Sequence, residues 1–172
     1  MEKLTGTQRL TRAAVTAAVY SALTLALAPI SFGPIQLRVA EALTLLPFLM
    51  PSVVPGLFVG CLLANALAGG GMLDIVFGSA ATLIAAWITS RCRSRLAAAL
   101  SPVLVNAVIV GTVLHRLYFA GTDVPVWVPM LEVGAGQLAA CFGLGLLLLH
   151  LVEKRFPQLN ERGDEIQKER SK

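Results

Sequence analysis

The chain has 172 residues, of which 56% are hydrophobic and only 14% are charged, and its formal net charge is +4. Soluble domains have about 45–50% apolar and about 25% charged residues, so this composition excludes an ordinary soluble enzyme. At about 20 apolar residues per crossing, the length allows roughly six membrane-spanning helices and no second domain.

Charges and glycine or proline residues divide the chain into a predicted N-terminal cytoplasmic segment (1–12), a six-helix transmembrane domain (13–153) and a cytoplasmic polar tail (154–172). The predicted helices cover residues 13–30, 37–49, 53–67, 73–89, 96–118 and 125–152. The sequence therefore predicts an all-α integral membrane protein. We expect no nucleic-acid partner, because the basic residues flank apolar spans as the topology rule for a lipid bilayer requires.

The first predicted helix carries small residues at helical spacing. Ala14, Ala18 and Ala22 repeat at i,i+4, with Ala13 and Ala17 beside them. Small side chains let another helix approach closely, so this pattern predicts either a docking face for a partner protein or packing within the chain.

The second and third predicted helices are short, and Pro47, Pro51 and Pro55 crowd their junction. We therefore expect irregular helices there. Irregular backbone at membrane depth must be covered by protein or line a water-filled cavity, which favours a ligand site over a plain structural bundle. A tilted hairpin in a thinned bilayer is the alternative.

Positive charges predict the orientation of the chain. Six crossings put both termini on one side, together with Lys3, Arg9, Arg12, Arg91, Arg93, Arg95 and the tail from Lys154. That side is cytoplasmic by the positive-inside rule. The loops at 31–36, 69–72 and 119–124 then face outward, and the membrane is the predicted location of the protein.

Polar side chains form a layer in the outer half of this predicted bundle. The carboxylates Glu41, Asp74 and Glu132 share one depth, and the amides Asn65, Asn106 and Gln137 extend the layer inward. A carboxylate within hydrocarbon costs about 2.5–3.5 kcal/mol, and its usual compensation is a cavity, a counter-ion or a ligand. The sequence therefore predicts a polar substrate site open to the outside.

Structural roles are alternatives for most of these residues. Arg38 and Glu41 can pair at i,i+3 on one helix face, and Asp74 can cap a helix after the glycine turn. The three amides can join helices by hydrogen bonds. Glu132 has no basic neighbour in sequence, which favours a ligand or proton role.

Other residues give weaker evidence for a substrate site. Phe32 is a candidate lid residue, while Phe77 and Trp127 can stack on a base or serve in packing and in an aromatic belt. No Ser-His-Asp set, H-E-x-x-H or G-K-[ST] motif occurs, and Cys61, Cys92 and Cys141 lack C-x-x-C spacing. We therefore expect no catalytic residue and no metal site.

Several strings resemble the QueT family of queuosine-precursor transporters, which are substrate-binding S components of energy-coupling factor (ECF) transporters. They are ISFGPIQLRVAEALTLLP at 30–47, PGLFVGC at 55–61 with Asn65, LDIVFGSAATL at 73–83, PVLVNA at 102–107 and EVG at 132–134. The resemblance covers nearly everything from residue 13 to about residue 149. It implies a six-helix S-component bundle.

Such a component captures substrate outside the cell and docks on a transmembrane coupling subunit driven by two ATPases. The resemblance implies that Ala14, Ala18 and Ala22 contact the coupling subunit, that ATP is used by the partner subunits, and that the chain has no cofactor of its own. The implied substrate is a deazaguanine base, either the aminomethyl form or queuine.

Chemical roles follow from that substrate. Glu132 can accept two adjacent N–H groups of a guanine-like edge, and Asp74 or Glu41 can neutralise an aminomethyl cation. Arg38 and the three amides complete the polar lining, with Phe32, Phe77 or Trp127 against the ring.

Three other functions stay open on sequence grounds. The first is transport of another vitamin or purine-like solute, by an S component or a standalone carrier. The second is acid/base catalysis within the membrane by Glu132 and Glu41. The third is an assembly subunit without a ligand.

Overall fold

The computed structural model describes residues 4–31, 37–69 and 71–161, and over these ranges every regular element is helical. The principal elements are α1 (Gly6–Ala26), a 3₁₀ segment (Val39–Phe48), α2 (Val54–Leu67), α3 (Ser79–Arg91), α4 (Arg95–Tyr118) and α5 (Trp127–Arg155). Short helical turns occupy Ala28–Ser31, Pro51–Val53 and Pro157–Leu159. Each predicted segment overlaps one principal element, and the number of membrane crossings stays a prediction.

Two of the helices contain wider π-helical turns. A π segment at Asp74–Gly78 leads into α3 without a break, and another at Ala139–Gly145 interrupts α5. Only α4 and α5, at 24 and 29 residues, are long and apolar enough to cross a membrane by themselves among the described residues. The 3₁₀ segment and α2 are apolar but shorter.

Helix α1 begins at Gly6, inside the predicted N-terminal segment. Thr5 accepts a hydrogen bond from the main-chain N–H of Gln8, and the Gln8 side chain accepts one from the main-chain N–H of Thr5. This reciprocal capping box satisfies two N–H groups that a helix start leaves without partners. Helix α1 therefore starts at Gly6, before the boundary at residue 13 that was predicted from the apolar residues.

The 3₁₀ segment lies in the interior of the bundle. Every residue from 40 to 47 is buried. Leu43 and Leu46 belong to a core cluster with Leu57 of α2 and Leu149 of α5, whereas Leu45 packs with Val103 of α4. The prediction of irregular helices near the three prolines is confirmed, and the surrounding helices cover the irregular backbone as a membrane interior requires.

Helices α1 and α2 approach closely through two glycines. A Cβ added at Gly56 would lie 2.2 Å from the main-chain oxygen of Ala13, and one at Gly60 would lie 2.9 Å from that of Ala17. The glycines are four residues apart, so they form a GxxxG face that meets the small residues of α1. Ser21 strengthens this contact by donating a 3.0 Å hydrogen bond to the main-chain oxygen of Gly60.

The alanines that carry the docking prediction lie on a different face of α1. Ala14, Ala18 and Ala22 are exposed, while Ala17 is buried against α2. Internal packing of α1 therefore uses the neighbouring small-residue face. The stripe of Ala14, Ala18 and Ala22 remains available to a partner.

One end of the bundle is held together by two ion pairs. Arg12 of α1 pairs with Glu161 at 2.8 Å, and Arg95 at the start of α4 pairs with Glu153 of α5 at 2.5 Å. Glu161 also accepts hydrogen bonds from the main chain and side chain of Ser52. The first helix therefore starts at the end of the bundle where α5 finishes, and the beginning of the polar tail docks there.

Replacing Gly56 by alanine tests the α1–α2 contact. The new Cβ must displace the backbone of α1, and such overpacking costs about 1–3 kcal/mol. Gly56→Ala should therefore lower the unfolding free energy of the protein in detergent. The control is Gly143→Ala, where nothing lies within 4 Å of the added Cβ. Equal unfolding temperatures for the two variants would contradict the close approach.

Candidate functional site

The carboxylate of Glu41 is the centre of a buried polar cluster. Its exposure is 1%, yet three side chains from three helices donate hydrogen bonds to it. Tyr20 of α1 and Thr82 of α3 reach Oε1 at 2.5 and 3.4 Å, and Asn106 of α4 reaches Oε2 at 3.3 Å. Both oxygens are therefore held by the protein itself.

The 3₁₀ geometry places Arg38 and Glu41 together. Arg38 is the residue preceding the segment, and at 3.0 residues per turn positions i and i+3 lie above one another. Both side chains are buried, and the guanidinium of Arg38 attracts the carboxylates of Glu41 and Asp74. The direct pairing of Arg38 with Glu41 stays a prediction, and the side-chain hydrogen bonds described for Glu41 come from other helices.

The thiol of Cys61 is a second meeting point. Its Sγ accepts hydrogen bonds from Arg38 Nη1 at 3.7 Å and Asn65 Nδ2 at 3.5 Å. It also lies 3.3 Å from Thr82 Oγ1, whose one hydrogen has Glu41 Oε1 and the main-chain oxygen of Gly78 as its other acceptors. These three groups come from the start of the 3₁₀ segment, from α2 and from α3. Cys61 thus connects the surroundings of Glu41 with those of Asp74.

Asp74 lies at the edge of the cluster. Its main-chain oxygen accepts a 3.0 Å hydrogen bond from Asn65 Nδ2. Its half-buried carboxylate has neither a hydrogen bond nor an ion pair with any described residue. Residues 72 and 73 are already helical, so the alternative of Asp74 as a helix cap is wrong. The helix begins directly after Gly71, earlier than that alternative assumed.

Glu132 lies outside this cluster. Its side chain is exposed and makes no hydrogen bond or ion pair within the described ranges. Successive residues of an α-helix are rotated by about 100° around its axis. Met130 and Gly134 face α4, and this rotation places Glu132 on the other side of the buried Val133. The carboxylate therefore occupies the flank of α5 that is turned away from α4.

The remaining predicted residues divide between cluster and surface. Gln137 is buried and accepts from Cys141 Sγ at 3.6 Å, and that thiol in turn lies 3.8 Å from the main-chain oxygen of Glu41. Phe77 and Trp127 are 44% and 57% exposed. Phe32 lies outside the described residues.

The structure thus assembles Arg38, Glu41, Asn65, Asp74 and Asn106 in one cluster. It adds Tyr20, Cys61 and Thr82, which the sequence analysis did not assign to the site. Tyr20 and Thr82 carry hydroxyl groups inside apolar spans, and that was the signal available in the sequence. Cys61 offered no signal, since a lone cysteine is most often a small buried hydrophobic residue.

Some buried polar atoms in the same part of the bundle have no hydrogen-bond partner among the described residues. Among the described residues, Ser31 Oγ, Asn65 Oδ1 and Ser79 Oγ are buried without a partner. Buried polar atoms are nearly always paired, so each one calls for an explanation. No group of three or more His, Cys, Asp or Glu side chains that could hold a metal ion occurs in the described part of the chain.

Comparison with known proteins places the chain beside a family of transporters. A family model described as QueT transporter matches residues 10–154. Over 73 residues, 41% of this chain, the sequence is 36% identical to the Queuosine precursor transporter QueT of Lactococcus lactis subsp. cremoris (strain MG1363). The chain spans 43% of that relative's length in this match. No solved structure matches.

Removing the Tyr20 hydroxyl tests the hold on Glu41. Tyr20→Phe deletes the shortest hydrogen bond to a buried carboxylate, and such charge-assisted bonds contribute about 1.5–3 kcal/mol. We expect a drop of that size in the unfolding free energy in detergent. Tyr118→Phe, at an exposed position of α4, is the matched control and should unfold like the wild type. Indistinguishable stability of Tyr20→Phe and Tyr118→Phe would contradict this role.

Proposed function

Because this chain belongs to the QueT transporter family, we propose that it is the membrane subunit that binds a queuosine precursor, a deazaguanine base, for uptake into the cell. The name of the Lactococcus relative supports the class of substrate. The observation that carries the proposal is the buried cluster around Arg38 and Glu41, with the unpartnered carboxylate of Asp74 at its edge. Membership of a transporter family argues against acid/base catalysis by these carboxylates.

The proposed topology has six membrane crossings and cytoplasmic termini. The ion pairs of Arg12 with Glu161 and of Arg95 with Glu153 support it, because they gather basic residues at one end of the bundle. The short 3₁₀ segment can serve as a crossing only because other helices enclose it. The polar cluster then lies toward the outside, near the Asn65 end of α2 and the start of α3.

The structure suggests different tasks for the three carboxylates. Glu41 already accepts hydrogen bonds on both oxygens and therefore fixes Arg38 and the surrounding donors in place. Asp74 has an unpartnered carboxylate beside this cluster, so we assign to it the aminomethyl cation of the base. Glu132 lies on the flank of α5 that is turned away from α4, so its contact with the adjacent N–H groups of the guanine-like edge stays a prediction from the sequence.

The remaining predicted contacts follow from the same assignment. Arg38 and Asn106 can pair with ring acceptors, and Gln137 lines the inner side near Cys141. Phe77 and Trp127 are exposed side chains that can cover the bound base, and we propose the same for Phe32.

Uptake further requires partners that use ATP. We propose that the chain is an ECF S component and that the stripe of Ala14, Ala18 and Ala22 docks on a coupling subunit driven by two ATPases. The support is the exposure of all three alanines on a helix whose other small-residue face is already packed on α2. Transport energy then comes from ATP bound by the partners.

The assignment of Asp74 is tested with two bases of similar shape. One carries an aminomethyl cation and the other a neutral cyano group at the same position of deazaguanine. Asp74→Asn should weaken binding of the cationic base to purified protein by roughly ten-fold or more, with a smaller effect on the neutral base. Titration calorimetry in detergent measures both affinities.

Two further variants complete this experiment. Asp123→Asn, at an exposed loop position, should bind both bases like the wild type. Glu132→Gln tests the sequence prediction for the N–H edge, which both bases share: affinities equal to those of the wild type would remove Glu132 from the site. If Asp74→Asn affects the two bases equally, Asp74 does not bind the cation, and if the wild type binds neither base, the proposed substrate is wrong.

Docking is tested separately from binding. Ala14→Leu combined with Ala18→Leu should abolish uptake in cells while the purified variant still binds the base, because bulky side chains block close helix contact. The matched control is Ala135→Leu with Ala139→Leu, an equally spaced pair of exposed alanines on α5. Normal uptake by the α1 variant would rule out this docking face.

A further inference from the structure

The side-chain amide of Asn65 is fixed in one orientation. Its Nδ2 lies 3.0 Å from the main-chain oxygen of Asp74 and 3.5 Å from Cys61 Sγ. A main-chain oxygen can only accept, so the NH₂ group must face it and the amide cannot be turned round. Each of the two amide hydrogens then has its own acceptor.

This arrangement leaves the Asn65 oxygen available. The side chain is fully buried, and Oδ1 has no hydrogen-bond partner among the described residues. An amide oxygen accepts hydrogen bonds and cannot donate them. Asn65 can therefore satisfy only an N–H or O–H group of a ligand.

Neighbouring residues are shaped to keep the amide in place. A Cβ at Gly78 would lie 3.0 Å from Asn65 Nδ2, so glycine permits the close approach of the π segment. The Sγ of Cys61 also lies within hydrogen-bond distance of Arg38 Nη1 and Thr82 Oγ1, at 3.7 and 3.3 Å. Asp74, whose main-chain oxygen accepts a hydrogen bond from Asn65 Nδ2, is half-buried, so this part of the bundle reaches the surface of the protein.

We propose that Asn65 recognises one N–H donor of the bound base through its Oδ1, which acts only as a hydrogen-bond acceptor. Cys61 is the positioning residue that keeps the amide in this orientation. The inference rests on the proposed function and goes beyond it, since it assigns a direction to a hydrogen bond and a role to the thiol. A ligand with an acceptor at that point would leave two oxygen or nitrogen lone pairs facing each other and would be rejected.

The experiment deletes ligand donors one at a time. The probes are the aminomethyl deazaguanine, its analogue without the 2-amino group, and its analogue methylated on the N–H of the five-membered ring. The wild type should lose roughly ten-fold or more in affinity for one of the two analogues. Asn65→Ala should bind that analogue and the parent base with nearly equal affinity, because the acceptor that distinguishes them is gone.

Variants of Cys61 test the positioning role. Cys61→Ala should reduce the discrimination, whereas Cys61→Ser, which keeps an acceptor, should retain most of it. Cys141→Ala is the control, because Cys141 is an equally buried thiol that does not contact Asn65. The unfolding temperature without ligand is recorded for each, so that a loss of discrimination is separated from a loss of stability.

The outcomes are distinct. If the wild type binds the base but discriminates against neither analogue, or if Asn65→Ala discriminates like the wild type, the role of Asn65 is overturned. If Cys61→Ala and Cys141→Ala change the discrimination equally, the role of Cys61 is overturned. If the wild type binds none of the three bases, the proposed function fails and this inference fails with it.

Discussion

The burial of the Glu41 carboxylate is the interaction on which the rest of the bundle depends. A charge in an apolar interior is tolerated only when hydrogen bonds and a counter-charge replace the water it has lost. Here the donors come from α1, α3 and α4, and Arg38 supplies positive charge from the start of the same 3₁₀ segment. A short, irregular segment is thereby tied to three helices at once. It can remain in the centre of the fold although it is too short to cross a membrane unaided.

This arrangement also separates two kinds of carboxylate. Glu41 uses both oxygens within the protein, so a cation brought to it would compete with existing hydrogen bonds. Asp74 and Glu132 make no such bonds within the described residues. One residue type thus serves structure at one position and has carboxylate oxygens without a protein partner at two others. Only the partners of each side chain, and not its predicted depth, distinguish these two situations.

Much of the fold and part of the site could be predicted from the sequence. Hydropathy and prolines located the six segments, and the predicted polar layer located Glu41, Asn65 and Asn106. The rotation of each helix could not be predicted, because it depends on which neighbours it packs against. Two alanine faces of α1 look alike in sequence, and Gly56 and Gly60 decide which one is buried. For the same reason, the direction of Glu132 and the convergence of donors on Cys61 emerged only from the structure.

Helix α1 joins the proposed binding site to the proposed docking face without any long-range pathway. Tyr20 contacts Glu41 on one side of the helix, and Ala18 and Ala22 are exposed within a turn of it. A bound substrate can alter docking only if it favours one arrangement of a shared element over another. The close GxxxG contact leaves little space between α1 and α2. Because Tyr20 and the exposed alanines belong to the same helix, any rotation of α1 would alter the bond from Tyr20 to Glu41 and the exposed alanine surface together.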